Sequence, residues 1–447
     1  MQTLEDRIAE AGSAAAMLYG SQDQTVTFPL PAEFTNWRDE QDAWHTAAAF
    51  QDMSFHMYEL VVEGPDAVRL LSDFGINSFA TFGPMQAKQY VVCNSDGYYI
   101  GDAILTCEEA GRICLVGKSA ALHWIRFQLE RGRYDARVVH FDAPSPRLAD
   151  RRLFRYQVQG TTALPILEEV NGGPLPDIGF FKMGRFTVAG HEVTALNHRM
   201  SGAPGFEFWG PSEFGPAVKE AILAAGRRHG LRQIGAKVFR VTATESGWVG
   251  TALPAIYTGE ATRAFREWLP ADTFEGRAAL GGSFPIADLE ELYVRPAEIG
   301  YGFMTKFDHE FCGRAALEKA AGTPQRKKVR LVWNSDDVLA VHASMYGQNQ
   351  RNKYMEMPVA NYANFLMDEV TRDGRRVGFS LLPVYSAPAR AWISLAVLDE
   401  AVAGSPGEVV VTWGEPDGGS TKPSVERHLQ RPIRAQIEPN VVRRAHW

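Results

Sequence analysis

The sequence predicts an α+β protein with antiparallel sheets, in which helices are inserted singly between long strands. Alternations of strand and helix are too few for a doubly wound parallel sheet. No glycine-rich dinucleotide or phosphate-binding fingerprint follows a strand. From about residue 328 onward, short strands are separated by Gly, Pro and Asp turns, which is typical of an antiparallel β-barrel or sandwich.

Composition limits the classes of protein that the chain can represent. Its 447 residues are too many for one hydrophobic core, so about two to four domains are expected. The net charge of −7, with no basic stripe, argues against a nucleic-acid partner. The amphipathic N-terminus is not a secretory signal, and no apolar run reaches the roughly 18 residues of a membrane span, so a cytoplasmic protein is expected. The four cysteines form no CxxC pair, so neither a zinc site nor any other metal is expected.

In the first half of the chain, the spacing of apolar residues predicts an amphipathic helix at the N-terminus and a strand at residues 54–64, which contains His56. A helix opened by Pro65 should follow. Three strands should follow, with Asp96-Gly97 as the turn of a hairpin. A helix capped by Ser119 comes next.

The second half predicts strands at residues 152–160, 184–200 and 205–211, then a helix ended by Gly230. A β-rich run at 238–243 should turn abruptly into Trp248. After a short helix, a polar linker near residues 323–328 should lead to the C-terminal strands, which are predicted at 327–334, 375–386, 391–400 and 408–414.

Two positions stand out for chemistry. Glu207 lies between Phe206 and Phe208, so strand alternation places its carboxylate on the face opposite both rings. If that face is buried, the carboxylate needs a partner, which could be a structural Arg or a ligand. Gly247 beside Trp248 would let the backbone approach a flat ligand while the indole covers its face, although for the Trp taken alone an ordinary buried core residue is the more common case.

Several longer stretches resemble the glycine-cleavage T-protein (aminomethyltransferase) superfamily. They are AKVFRVTATESGW (236–248), KFDHEFCGRAALEK (306–319) and NSDGYYIGDAIL (94–105). The resemblance implies a three-domain cloverleaf with a C-terminal β-barrel or jelly-roll domain. It also implies a discontinuous folate-binding domain and a discontinuous second domain before the barrel. The predicted boundaries are 1–50 with 150–245, then 51–149 with 246–322, and 328–447.

Within that superfamily the chain is most similar to tetrahydrofolate-dependent aryl O-demethylases, as in GAPGFEFWGP (202–211), LPAIYTG (253–259) and PVANYAN (358–364). This likeness implies transfer of a methyl group from a methoxylated aromatic acid to N5 of tetrahydrofolate. It also implies roles for individual residues: tetrahydrofolate binding by Gln157, Glu207, Trp248 and Asp102; substrate binding by Lys118, Phe239, Tyr90 and Phe28; and catalysis by His56 and Tyr257.

At three positions the chain departs from the families that it resembles, and each departure bears on the substrate. Lys118 stands where vanillate-type enzymes place an arginine, and Phe239 stands where they place a tyrosine. Gly101-Asp102 replaces the paired aspartates of aminomethyltransferases, which points away from glycine cleavage. A missing phenol donor leaves two options open: a hydroxyl from Tyr90, Tyr257 or Tyr301, or a substrate with a better leaving group, such as dicamba.

The alternatives are an aminomethyltransferase, another small-molecule demethylase of the same fold, or a non-enzymatic folate-binding protein. On base rates, His56 would be a core histidine and Lys118 a solvated lysine. Oligomeric state is not predicted.

Overall fold

The computed structural model describes residues 1–23, 29–198, 202–285, 287 and 289–439. Its strands are β1 (Ala48–Asp52), β2 (Tyr58–Glu63), β3 (Gln86–Cys93), β4 (Tyr99–Glu109), β5 (Arg112–Gly117), β6 (Arg137–Asp142), β7 (Leu153–Gly160), β8 (Met183–Val188), β9 (His191–Leu196), β10 (Gly205–Pro211), β11 (Arg232–Gln233), β12 (Leu280–Gly281), β13 (Lys327–Trp333), β14 (Phe365–Arg372), β15 (Arg375–Ser386), β16 (Ala391–Leu398), β17 (Glu408–Trp413) and β18 (Arg431–Glu438).

The helices are α1 (Leu4–Ala11), α2 (Ala14–Gly20), α3 (Trp37–Thr46), α4 (Ala67–Phe74), α5 (Ser119–Glu130), α6 (Ala163–Asn171), α7 (Gly215–Gly226), α8 (Val241–Ser246), α9 (Arg263–Trp268), α10 (Phe274–Arg277), α11 (Arg314–Ala321), α12 (Ser335–Ala343) and α13 (Glu400–Ala403). Short 3-10 helices join several of these elements, including Leu289–Leu292, Pro296–Ile299 and Gly302–Met304. None of the helices in the described part of the chain is long and apolar enough to span a bilayer.

The first sheet has the strand order β11-β1-β7-β10-β9-β8. Side chains alternate across it, so that Phe50, Tyr156 and Phe208 enter one apolar core beneath α6 and α7. The opposite face carries polar side chains that are nevertheless buried, among them Gln157 and Glu207. The alternation predicted from the sequence around Glu207 is therefore confirmed.

The second sheet has the order β3-β4-β5-β2-β6 and is covered by α4 and α5. The predicted hairpin is confirmed, with Gly97 in the left-handed region at φ 78° between β3 and β4. The cap of α5 is Lys118, whose side chain makes no capping bond, and not Ser119 as the sequence predicted. Leu4 of α1 and Leu18 of α2 pack into the core of this sheet, a contact that the predicted boundaries did not include.

The third sheet has the order β12-β14-β15-β16-β13-β18-β17, and a further pairing of β14 with β17 closes six of its strands into a barrel. The predicted C-terminal barrel is thus confirmed. Strands β14 and β18 were not predicted from the sequence, and α12 lies where little helix was expected. The domain boundaries stay a prediction.

The predicted strand at residues 238–243 is wrong, because the chain turns there and forms helix α8. Val238 and Val241 lie one helical turn apart and enter the same core as Trp44 and Ile393, which a helical spacing allows and a strand would not. Gly247 ends the helix in the left-handed region, where its N–H bonds to the carbonyls of the last turn. Packing thus overrides the β propensity of this segment.

A buried charge cluster lies at the edge of the barrel. Asp368 on β14 is fully buried and accepts a hydrogen bond from the Ser283 N–H at 3.1 Å. Close by, the Lys353 ammonium donates to Glu415 at 2.8 Å. Burial raises the pKa of Asp368 to about 7, although the charge of Lys353 opposes the shift.

The pKa of Asp368 predicts how stability depends on pH. The folded-state pKa of about 7 lies above the value of about 3.9 for an unfolded aspartate, so the native state holds a proton that the unfolded chain has lost between these pH values. Stability should therefore fall as pH rises from about 4 to 7. Asp368→Asn mimics the protonated acid and should raise Tm by roughly 2–4 °C over wild type at pH 8 but not at pH 4. Thermal unfolding of both proteins, with Asp336→Asn as an exposed control, checks this; equal shifts at both pH values would contradict it.

Candidate functional site

The candidate site begins at the polar face of the first sheet. Gln157 on β7 lies directly opposite Glu207 on β10 and Gln51 on β1, so the three side chains form a row across the sheet. Gln157 is fully buried, and neither its amide oxygen nor its amide nitrogen has a hydrogen-bond partner among the described residues. A buried amide of this kind costs free energy unless a ligand or water completes it, which marks the row as a candidate binding surface.

Glu207 has partners within the protein. The Arg155 guanidinium donates to one carboxylate oxygen at 2.9 Å, and His198 Nδ1 lies 3.4 Å from the other. Burial raises the pKa of Glu207, but His198 and Arg155 together outweigh it and hold the pKa at about 2. The expectation of a partner is confirmed. The carboxylate is ionised at neutral pH and can still accept donors from a ligand, since each oxygen has two acceptor positions.

Asp102 on β4 organises a second wall of the site. Its carboxylate accepts hydrogen bonds from the hydroxyls of Tyr99 at 2.6 Å and Tyr301 at 2.7 Å. It also accepts from Gln89 at 2.9 Å and from the indole N–H of Trp248 at 3.1 Å. Four donors from separate elements therefore fix one buried carboxylate, and this carboxylate in turn fixes the indole of Trp248.

Gly101 and Gly117 explain how closely the backbone is packed around Asp102. A Cβ atom at position 117 would lie 2.6 Å from the Asp102 carbonyl oxygen, so only glycine permits β4 and β5 to pair here with Lys118 following. A Cβ at position 101 would lie 3.0 Å from Ala121 of α5. An aspartate at 101 would require Ala121 to give by a few tenths of an ångström.

Lys118 is largely buried and is not the solvated lysine that base rates favour. Its ammonium donates to the Gly250 carbonyl and lies 5.1 Å from the ring centroid of Trp248. Burial lowers the pKa of Lys118, and the charge of Asp102 partly opposes that shift. Lys118, Trp248 and Asp102 therefore form one group.

His56 lies in the bend before β2 and not within a strand, because β2 begins only at Tyr58. Its ring meets the edge of Phe239, with ring centroids 4.7 Å apart. Burial lowers the pKa of His56 to about 3, although the Glu207 carboxylate opposes the shift. The imidazole is therefore neutral near pH 7, and it offers one N–H donor rather than a positive charge.

The three tyrosines considered as proton donors differ in their surroundings. The hydroxyl of Tyr90 donates to the Leu71 carbonyl at 2.9 Å, and that of Tyr257 donates to the Glu275 carbonyl at 3.1 Å, so both serve the core of the second sheet. Tyr301 differs, since its hydroxyl lies 3.0 Å from the indole nitrogen of Trp248. Phe28 lies outside the described residues.

Sequence reasoning missed Arg240, which directly follows Phe239. Burial lowers the pKa of Arg240 to about 10, and its positive charge contributes to lowering the pKa of both His56 and Lys118. When the Asn361 side-chain amide is oriented with its oxygen toward Arg240, the Arg240 guanidinium donates a hydrogen bond to that oxygen. Arg155 and His198 were also missed, because nothing local to either residue shows that it faces Glu207. Among the described residues, no group of three or more acidic, His or Cys side chains is arranged to hold a metal.

Comparison with known proteins places this geometry in context. Residues 5–252 match the family model described as the GCVT N-terminal domain. Syringate O-demethylase of Sphingobium sp. (strain NBRC 103272 / SYK-6) is 39% identical over 440 residues, which cover 98% of this chain and 95% of that protein. Sesamin methylene transferase of Sinomonas sp. (strain No.22) is 27% identical, over 93% of this chain and 91% of that protein.

The structure has a solved neighbour with the same fold. The aminomethyltransferase T of the glycine cleavage system from Bartonella henselae superposes with a TM-score of 0.61 over 95% of each chain, at 16% sequence identity. At that identity the likeness establishes the fold alone. The three-domain fold expected from the sequence resemblance is confirmed at that level.

The amide of Gln157 gives a test that is independent of activity. Gln157→Met removes two buried polar atoms without described partners at little change in volume, so the ligand-free protein should gain about 1 kcal/mol of unfolding free energy. Urea unfolding measures the gain. Gln159→Met is the matched control on the same strand face, because the Gln159 amide donates to the His198 carbonyl and its loss should destabilise. Equal destabilisation by both changes would contradict a ligand-binding role for Gln157.

Proposed function

Because the chain belongs to the GCVT N-terminal domain family, we propose that this enzyme is a tetrahydrofolate-dependent O-demethylase of methoxylated aromatic acids. The family and the demethylase relative support an enzyme of one-carbon transfer. The observation that carries the choice of co-substrate is the buried Gln157–Glu207 pair. One amide and one carboxylate, side by side, match the alternating donors and acceptors along the edge of a pterin.

The residues present fit a reduced folate. Gln157 and Glu207 would bind the pterin edge, and Trp248 would cover a face of the co-substrate. When bound, tetrahydrofolate would supply the nucleophilic nitrogen, N5, that accepts the methyl group. Glu207 and the Trp248 indole are fixed by hydrogen bonds within the protein before any ligand arrives, so little ordering of these two groups is left for the binding step. Alignment of two reactants in this way can lower a barrier by roughly 7–11 kcal/mol.

The aromatic acid would bind beside His56, Phe239 and Lys118. The Lys118 ammonium would pair with the substrate carboxylate, and Phe239 would pack against the ring. His56 would donate its neutral N–H toward the ether oxygen as negative charge develops there, since its pKa of about 3 keeps the ring uncharged. Tyr301 is the second candidate donor, because burial raises its pKa and keeps its hydroxyl protonated; that hydroxyl would have to turn from Asp102 to the substrate.

Because Phe239 carries no hydroxyl to donate to the substrate, two classes of methoxylated acid are compatible with the proposal. A lignin-type acid such as vanillate, syringate or 3-O-methylgallate would depend on His56 or Tyr301 for a hydrogen bond to its leaving oxygen, and solvent would supply the proton that the phenolate then takes up. A chlorinated methoxybenzoate such as dicamba has a better leaving group and needs less help. An aminomethyl substrate is disfavoured, because Gly101 stands where aminomethyltransferases have the first of two aspartates, so the carboxylate that would position an aminomethyl nitrogen is missing.

A cytoplasmic location accompanies the proposal. The four cysteines, Cys93, Cys107, Cys114 and Cys312, are free thiols, and free thiols persist in a reducing compartment.

Methyl transfer provides the direct test of the proposal. Purified protein with tetrahydrofolate should convert at least one of vanillate, syringate, 3-O-methylgallate and dicamba to its phenol, with equimolar 5-methyltetrahydrofolate, as followed by chromatography. Turnover of none of the four would overturn the aryl-ether function.

Removal of the Glu207 charge should weaken folate binding. Glu207→Gln keeps the shape but loses charge-assisted bonds, so tetrahydrofolate Kd should rise by about 10- to 100-fold, as measured by calorimetry. Because the wild-type pKa is about 2, this group should add no pH dependence to binding between about pH 5 and 8. An unchanged Kd would remove Glu207 from the pterin site.

The role of His56 separates turnover from binding. His56→Ala should lower kcat by about 10²-fold or more while the tetrahydrofolate Kd changes little. Steady-state kinetics and calorimetry on the same preparation measure both quantities, with the exposed His45→Ala as control. If kcat stayed at the wild-type value, His56 would have no part in the chemistry.

A further inference from the structure

The segment from Glu245 to Gly250, here called the Trp248 turn, is held at two backbone carbonyls by two lysines from different parts of the chain. The Lys328 ammonium on β13 donates to the Gly247 carbonyl at 2.6 Å, and the Lys118 ammonium donates to the Gly250 carbonyl. The two carbonyls flank Trp248 in sequence. The turn is thus tied to the second sheet on one side and to the barrel on the other.

Lys328 is built into this position. A Cβ atom on Gly300 would lie 2.8 Å from the Lys328 ammonium, so the glycine leaves the space that the lysine occupies. No acidic side chain among the described residues forms an ion pair with Lys328. Its described hydrogen bond is the one to Gly247, so this carbonyl determines where the ammonium lies. Burial lowers the pKa of Lys328 to about 8, because the ammonium is partly shielded from water at this position.

The neighbouring lysine shows the contrast. Lys327 is 56% exposed and pairs with Glu400 at 2.6 Å. The two residues are adjacent on one strand, so their side chains point to opposite faces. The same substitution at both positions therefore separates contact with the turn from a general loss of charge on β13.

A second contact joins the barrel to Glu245, which begins the Trp248 turn and lies in helix α8. The Ser386 hydroxyl on β15 donates to Glu245 at 2.5 Å, two residues before Gly247. On the other side, the indole N–H of Trp248 is fixed by Asp102. The plane of the indole is therefore set jointly by the second sheet and the barrel. Of these two barrel contacts, the one from Lys328 to Gly247 lies nearer to Trp248 along the chain.

We propose that Lys328 is a positioning residue for tetrahydrofolate, which acts by fixing the Gly247 carbonyl and hence the wall formed by Trp248. The inference rests on the proposed function, because it takes Trp248 to be part of the folate site. Lys328 acts only through the turn. Loss of its ammonium leaves the Gly247 carbonyl without this donor and lets the turn shift away from the polar row on the first sheet.

The test uses Lys328→Met, Lys328→Arg and the control Lys327→Met in the full-length protein. Lys328→Met should raise the tetrahydrofolate Kd and KM about tenfold, whereas kcat at saturating tetrahydrofolate should change by less than about threefold. The KM for the aromatic acid should stay near the wild-type value. Lys328→Arg keeps a cationic donor and should restore most of the affinity, and Lys327→Met should behave as wild type. Thermal unfolding of each variant identifies any general loss of folding.

The outcomes separate the two proposals. A wild-type protein that binds no tetrahydrofolate overturns the proposed function and this inference with it. If wild type binds and Lys328→Met binds equally well, the inference alone falls. A parallel loss of kcat and folate affinity that Lys328→Arg does not rescue would also overturn it, because that result indicates a purely structural role. If Lys328→Met fails to fold, Lys328→Gln replaces it, and the same comparison of KM with kcat decides.

Discussion

The site depends on one constraint, the register that places Gln157 opposite Glu207 in the first sheet. Because side chains alternate along a strand, this register sends Phe206 and Phe208 into the apolar core and the polar pair to the other face. A slip of one residue would exchange the two faces and place a carboxylate in the core. The packing of the phenylalanines therefore fixes the position of the polar row.

Burial of that row sets the electrostatics around it. An ionised Glu207 is tolerated because Arg155 and His198 compensate its charge, whereas His56, with less compensation, is held neutral. Lys118 lies among aromatic and carbonyl groups, where burial and the charge of Arg240 lower its pKa and the charge of Asp102 opposes that shift. The candidate site thus brings the Glu207 anion, the neutral His56 and the cationic Arg240 within electrostatic range of one another.

All three sheets contribute to the candidate site. The first supplies Gln157 and Glu207, the second supplies Asp102 and Lys118, and the barrel reaches the Trp248 turn through Lys328. A barrel more than a hundred residues distant in sequence from the polar row thus contacts the segment that contains Trp248.

The sequence by itself determined the properties that follow from local periodicity and from family likeness. The face of Glu207, the turn at Gly97, the C-terminal barrel and the left-handed Gly230 were all predictable, because alternation, positive φ and turn composition are encoded locally. Gly230 ends the 3-10 turn Arg227–His229, which follows directly on α7. The tertiary structure alone decided that residues 241–246 form a helix, that the Lys118 ammonium bonds to the Gly250 carbonyl and that Arg155 partners Glu207. Each of these depends on contacts between segments far apart in the chain. A local sequence pattern does not specify which distant residue a side chain will contact.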